Sequence, residues 1–266
     1  MGLPGARLDP PVSWLRLLES RAVFELGAVA AASPWLRLIG RGDDHPVLVL
    51  PGFLTGDSST TPLRSILRSQ GYWVHGWKLG RNLGPTPEVV EGIVDRLHEL
   101  HDHHGAPVSL VGWSLGGIYA RRLARAFPEL VRQVITLGSP FRITPDQRSA
   151  VSGLFERLQD RHIASIDEVL SVPDTTPLGV PTTAIYTRTD GVVRWWQCIE
   201  SIGAGRENIE VRGSHTGLGF NPAVIFAVSD RLAQRPGEWR PFRPPVGLGH
   251  LYPHPADYRD TPTRVA

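Results

Sequence analysis

The sequence predicts an α/β protein built on a mostly parallel, doubly wound sheet of about six strands. Three observations carry this. Short apolar runs rich in Val, Ile and Leu, among them His45–Leu50, Val108–Val111 and Val131–Leu137, read as strands buried on both faces. Stretches with apolar residues at helical spacing alternate with them, as the connections between parallel strands require. Four pairs, Ser33-Pro34, Thr61-Pro62, Thr86-Pro87 and Asn221-Pro222, join a capping side chain to a proline at the first helical position, and each marks a helix start.

In chain order, residues 13–39 read as two helices. The first carries Trp14, Leu17, Leu18, Ala22 and Leu26, and the second opens at Ser33-Pro34. A strand ending at Leu50 leads into Pro51-Gly52-Phe53-Leu54. A helix from Pro62, a strand over Tyr72–His75 and a helix from Pro87 follow, the last with Val90, Ile93, Val94, Leu97 and Leu100 on one face. Val108–Val111 leads to a helix ending near Phe127, and Val131–Leu137 to the next segment. Pro181–Thr187 and Asn208–Val211 supply two more strands, and Pro222–Ala233 the last helix. Residues 142–178 break the alternation: Leu154, Leu158, Ile163, Ile166, Val169 and Leu170 suggest amphipathic helices inserted as a cap. The expected organisation is an N-terminal helical segment over 1–44, a main domain over 45–235 and a Pro-rich tail over 236–266. Aromatic residues in the tail, Trp239, Phe242 and Tyr252 among them, predict that it packs on the body.

Composition narrows the function. At 266 residues, 41% hydrophobic and 20% charged, the chain is long enough for one large domain. The net charge is +2 with both signs interspersed, so no nucleic-acid surface is expected. Cys198 is the only cysteine, which excludes an internal disulfide and disfavours a cysteine metal site. Arg16 and Arg21 before Leu26–Ser33 imitate a signal peptide, but Glu25 interrupts the apolar stretch, and a cytoplasmic location is the expectation. No apolar run approaches the roughly 18 residues of a membrane span.

The chemistry centres on Gly112-Trp113-Ser114-Leu115-Gly116, a G-x-S-x-G pentapeptide between a strand and a helix. Such a turn forces Ser114 into a strained conformation and lifts its hydroxyl clear of the sheet. A serine nucleophile needs a base to take its proton and an acid to orient that base. Asp190 follows the strand ending near Thr187, and His215 lies in Gly213-Ser-His-Thr-Gly217 just beyond the last strand. The chain order Ser, Asp, His is the one this strand–turn–helix context uses. Donors for a developing oxyanion are expected from the backbone of Leu115, at a helix start, and of Phe53, after the first strand. Leu54, Trp113, Phe141 and Trp195 are the candidate walls of an apolar substrate pocket.

His45–Leu54 together with Gly112–Gly116, Asp190-Gly191 and His215 resembles the α/β-hydrolase family, in particular compact bacterial lipases and esterases. Gly138-Ser139-Pro140-Phe141 is similar to the lipase pattern after the following strand. The resemblance covers roughly residues 45–235 and implies Ser114 as nucleophile, His215 as base and acid, and Asp190 as its orienter, with Phe53 and Leu115 as the oxyanion hole. No strand pair is evident before His45, where larger members carry one, and the extended Gly-rich oxyanion loop of some esterases is absent. The implied function is hydrolysis of small-molecule or lipid-like carboxylic esters with an apolar acyl group, with no cofactor and no metal. An acyltransferase or thioesterase would use the same residues, and a non-catalytic hydrolase-like binding protein would share the fold. The run His98-Glu-Leu-His-Asp-His-His104 imitates a metal site. Its helix should run antiparallel to the strands, which puts its C-terminus at the end of the sheet opposite Ser114.

Overall fold

A computed structural model describes residues 13–39, 42–142 and 176–255. Its centre is a six-stranded sheet in the order β2-β1-β3-β4-β5-β6, every neighbouring pair parallel. The strands are β1 (Pro46–Leu50), β2 (Trp73–Gly76), β3 (Val108–Trp113), β4 (Val131–Leu137), β5 (Thr182–Tyr186) and β6 (Arg206–Glu210). All residues of β1, β3 and β5 are buried, as expected of strands covered on both faces.

Two helical layers supply that cover. On one face α2 (Ala22–Leu36), α3 (Thr61–Ser69) and α6 (Pro222–Leu232) pack Val29, Leu36, Leu63, Leu67, Val224 and Val228 against Val47, Val49 and Ile135. On the other, α4 (Pro87–His104) and α5 (Leu115–Ala126) pack Ile93, Leu97, Ile118 and Leu123 against Leu48, Leu110 and Val134. Successive residues of the central strands, such as Val47, Leu48, Val49 and Leu50 of β1, thus enter different cores. Val23, Phe24 and Leu26 stay exposed on the outer side of α2. No helix of the described residues is long and apolar enough to cross a membrane.

The Thr86-Pro87 and Asn221-Pro222 pairs start helices: the Thr86 hydroxyl accepts from Val89 N and the Asn221 side chain from Ala223 N. Thr61-Pro62 is offset by one, since Thr60 is the cap and Thr61 already lies in α3. Ser33-Pro34 is a correction. A short helix, α1 (Ser13–Leu17), and a 3-10 turn over Leu18–Arg21 lead directly into α2, and Pro34 falls inside its last turn. There the missing N–H removes one helical bond close to an end that terminates anyway, so the Ala-rich segment before it continues unbroken.

The residues 143–175 that make up most of the expected cap, and residues 256–266 of the tail, lie outside the described residues. The described part of the tail lies over α6 and β6. Phe242 N donates to Glu207 at 2.7 Å, Tyr252 hydroxyl donates to Ala223 O at 2.8 Å, and the Phe242 and Tyr252 rings meet at 4.9 Å.

Register decides where the loops emerge. Leu50 pairs with Gly112, Trp113 with Leu137, Leu137 with Ile185 and Ile185 with Ile209. The C-terminal ends of five strands are therefore level. The loops carrying Phe53, Ser114, Ser139, Asp190 and His215 leave from one edge of the sheet.

Candidate active site

Ser114 sits between β3 and α5 at φ 53°, ψ −119°, a region that a residue with a Cβ rarely occupies. Its amide donates to Leu137 O at 2.8 Å, which ties the turn to β4. The turn is possible because α5 passes hard against β1: a Cβ on Gly116 would lie 2.3 Å from Leu50 O and 2.8 Å from Pro51 O. Leu115 opens α5, so its N–H is one of the first-turn donors that have no acceptor within a helix.

His215 Nε2 lies 3.1 Å from Ser114 Oγ, and His215 Nδ1 lies 2.6 Å from Asp190 Oδ2. Both His215 and Asp190 are buried. The remaining carboxylate oxygen of Asp190 accepts from Val192 N at 2.8 Å and Val193 N at 2.7 Å, which fixes the plane of the carboxylate. Burial disfavours a charged His215, but the charge and hydrogen bond of Asp190, with the charge of Glu19, outweigh it and hold the imidazole above the usual histidine range. The Trp113 indole donates to His215 O at 3.2 Å, and its ring lies close against Gly219, in the same core as Leu218.

The loop after β1 lies beside the serine; a Cβ on Gly52 would sit 3.4 Å from Ser114 Cβ. Phe53 is half-buried against the α4/α5 core. Leu54 takes a left-handed φ of 63°. Buried Asn82, which no local sequence pattern marks, holds this loop. It accepts from Leu54 N at 2.7 Å, donates its backbone N–H to Thr55 O at 2.7 Å and its amide to Pro51 O at 2.9 Å. Tyr119 of α5 donates to the Asn82 side chain at 3.3 Å, which links the loop to the helix that begins at Leu115.

Three of the four expected pocket residues join three different apolar clusters. Trp113 belongs to the core on the α2/α6 face, Phe141 to the core on the α4/α5 face, and Trp195 to a third, smaller cluster. Phe141 lies 4.0 Å beneath the Arg121 guanidinium, which is buried and paired with Glu200. Trp195 stacks on Tyr186 at 5.9 Å and lies 4.4 Å from the Arg188 guanidinium. Side chains at strand ends alternate between faces, and residue spacing alone does not reveal which face each takes. Leu54 alone sits beside Phe53 on the loop next to the serine.

Two further hydroxyl or thiol side chains near this edge are engaged elsewhere. Ser139 is fully buried, and its hydroxyl donates to Gly112 O at 3.3 Å. The Cys198 thiol is buried among Tyr186, Val193 and Ile199, and burial together with the Asp190 charge pushes it well above the usual range. The histidine-rich end of α4 packs at the opposite edge: His104 lies 5.9 Å from Trp73, at the start of β2, and His98 lies 5.1 Å from Phe127. Among the described residues, no three of His, Cys, Asp or Glu are grouped to hold a metal ion.

No protein-family model and no curated protein matches this sequence. Solved structures do match by shape. Aspergillus fumigatus lipase B superposes with a TM-score of 0.56 at 19% identity; the match covers 73% of this chain and 54% of that one, so the chain spans about half of the lipase's length. A structure reported with the metagenome-derived lipolytic enzymes LipS and LipT gives 0.51 at 16% identity, covering 73% and 94%. Paleococcus ferrophilus monoacylglycerol lipase gives 0.50 at 14% identity, covering 73% and 96%. With the six parallel strands and the helices on both sides, these matches show that the chain has the α/β-hydrolase fold.

Proposed function

We propose that this protein is a serine hydrolase that cleaves carboxylic esters with an apolar acyl group through an acyl-enzyme on Ser114. The observation that carries the reading is the chain of short contacts Ser114 Oγ, His215 Nε2, His215 Nδ1, Asp190 Oδ2 at 3.1 and 2.6 Å. The strained conformation of Ser114 supports it, because such strain persists where the surroundings enforce it, often at a reacting group.

In this mechanism Ser114 Oγ bonds to the ester carbonyl carbon and passes its proton to His215 Nε2. The carbonyl electron pair moves onto oxygen, where the Leu115 and Phe53 amides donate to the oxyanion. Collapse of this intermediate breaks the bond to the alcohol, which leaves with the proton from His215. Water then attacks the acyl-enzyme, gives its proton to His215, and the free acid departs as Ser114 is reprotonated. Asp190 keeps the proton on Nδ1 and stabilises the imidazolium throughout.

The solved structures that resemble this chain bear the names of lipases and a lipolytic enzyme, which supports an ester as substrate. The test has two parts. A fluorophosphonate probe should label the wild type and fail to label Ser114→Ala. On p-nitrophenyl esters from acetate to dodecanoate, kcat/KM should rise from two to about six carbons. At about 0.8 kcal/mol for each buried methylene, two extra methylenes give about a tenfold gain. A steady fall from acetate onward would remove the apolar acyl group from the reading.

A further inference from the structure

The loops that carry Asp190 and His215 are held by side chains from the far end of the chain. Glu19, in the turn between α1 and α2, accepts on Oε1 from Gly191 N at 2.9 Å and from His215 N at 3.0 Å. Its Oε2 accepts from Thr216 N at 2.8 Å. One carboxylate thus bridges the residue after Asp190 and the histidine itself. Arg21 makes a second bridge between the same loops, donating to Gly213 O at 3.1 Å and to Thr189 Oγ1 at 3.2 Å. Glu25 accepts from Ser214 N at 2.9 Å and from the Ser214 hydroxyl at 2.5 Å.

The loops are shaped to receive these groups. A Cβ on Gly191 would lie 2.4 Å from Leu15 O, and one on Gly217 would lie 1.4 Å from Glu25 Oε2. Neither glycine has a positive φ, so close approach of the N-terminal segment, not the turn, requires the missing side chain.

Resting on the serine-hydrolase reading, we infer that the N-terminal helical segment is a working part of the site, with Glu19 as a positioning residue that sets the two loops in register. Three amides on one carboxylate are charge-assisted hydrogen bonds, stronger than neutral ones. They fix the backbone of His215 while Asp190 fixes its ring. Glu19 also contributes charge. The charged groups on the segments packed against the His215 loop are Asp190, which contacts the ring, Glu19, which contacts the His215 amide, and Arg21 and Glu25, which contact Gly213 and Ser214. Of these, Asp190 and Glu19 favour the imidazolium. Removing the Glu19 charge therefore lowers the pH at which His215 gains its proton, and the acid limb of kcat/KM moves to lower pH.

Two variants separate reach from charge. Glu19→Gln keeps an acceptor for the Gly191 and His215 amides but loses the charge and the bond to Thr216. Its acid limb should move to lower pH, with kcat about tenfold lower and KM little changed. Glu19→Asp keeps the charge but is one methylene too short to span both loops. Its kcat should fall comparably while the acid limb stays where it is in the wild type. A clip that only fastened the N-terminus would lower Tm in both variants and leave the acid limb in place, which would overturn the inference. If Glu19→Gln does not fold, Glu19→Asp decides, and wild-type kcat in that variant overturns the inference. A wild type that neither labels with fluorophosphonate nor turns over esters would instead sink the serine-hydrolase reading. An active, labelled wild type beside an unaltered Glu19→Gln would sink only the role of Glu19.

Discussion

The proposed nucleophile and the proposed base reach the same point by opposite routes. Ser114 is placed by regular elements: β3 directly before it, α5 directly after it, and the adjacent strands β1 and β4 through backbone contacts. Asp190 and His215 stand on two irregular loops, and the groups that hold those loops, Glu19, Arg21 and Glu25, come from 168 to 197 positions earlier. A strand–turn–helix elbow is a local device whose geometry its own residues dictate. A loop has no such internal rule and must borrow its rigidity from elsewhere. Substitutions on each side should therefore fail in different ways.

Breaking the base side at its centre should give the largest effect. Asp190→Asn keeps the shape but replaces the acceptor facing His215 Nδ1 with a group that can donate, which favours the wrong tautomer. The comparable change in a serine protease, a worked case for this chemistry, costs about 10⁴ in kcat. A fall of that order with an unchanged Tm, from steady-state rates on a p-nitrophenyl ester and thermal unfolding, is the expected outcome. Near-wild-type turnover would move the acid role away from Asp190.

Breaking the nucleophile side should instead show as instability. In Gly116→Ala the new methyl meets the backbone oxygens of Leu50 and Pro51, which cannot swing aside as a flexible side chain could. Either β1 or the elbow must shift, at a cost of about 2–3 kcal/mol. Thermal unfolding should register a lower Tm, with fluorophosphonate labelling of Ser114 slowed in the same sample. Wild-type stability would show that β1 yields readily there and that the elbow is less constrained than its contacts imply.

The same contrast explains what the amino-acid sequence reveals and what it hides. The strands, the elbow and the order Ser114, Asp190, His215 are legible because each rests on a local pattern: a β-branched run, a spaced pair of glycines, a loop after a strand. Thr86-Pro87 and Asn221-Pro222 are legible because a cap is local too. Ser33-Pro34 misleads because proline looks the same at the first turn of a helix and in its last. Asn82 and Glu19 are invisible, since their partners are backbone atoms of distant loops, and a backbone amide has no sequence signature. The one clue is Glu25, a charge in an otherwise apolar stretch, whose inward partner turns out to be Ser214. The core that Trp113 or Phe141 joins is hidden for a related reason: the face each takes depends on strand register and on what packs from above.

The smallest effect concerns neither side, and serves to separate titration of the fold from titration of the site. His75 of β2 places Nε2 2.9 Å from His104 Nε2, so one ring must donate and the other accept. Burial, with the nearby charges of Arg96, His104, Arg68 and Lys78, pushes His75 down to about 4. The unfolded chain, with a histidine near about 6.5, binds this proton first. Between those values it carries more protons than the folded chain, and stability falls as pH drops from about 6.5 toward 4. Because the ring is only partly buried, solvent screening holds the loss to about 1 kcal/mol. His75→Gln should flatten the dependence of Tm on pH in this window and leave the acid limb of kcat/KM unmoved, since that limb follows His215 at the other edge of the sheet. If His75→Gln moved the acid limb, acid loss of activity would be reporting the fold and not the base. The contrast between the two sides would then have to be redrawn from measurements above pH 6.5.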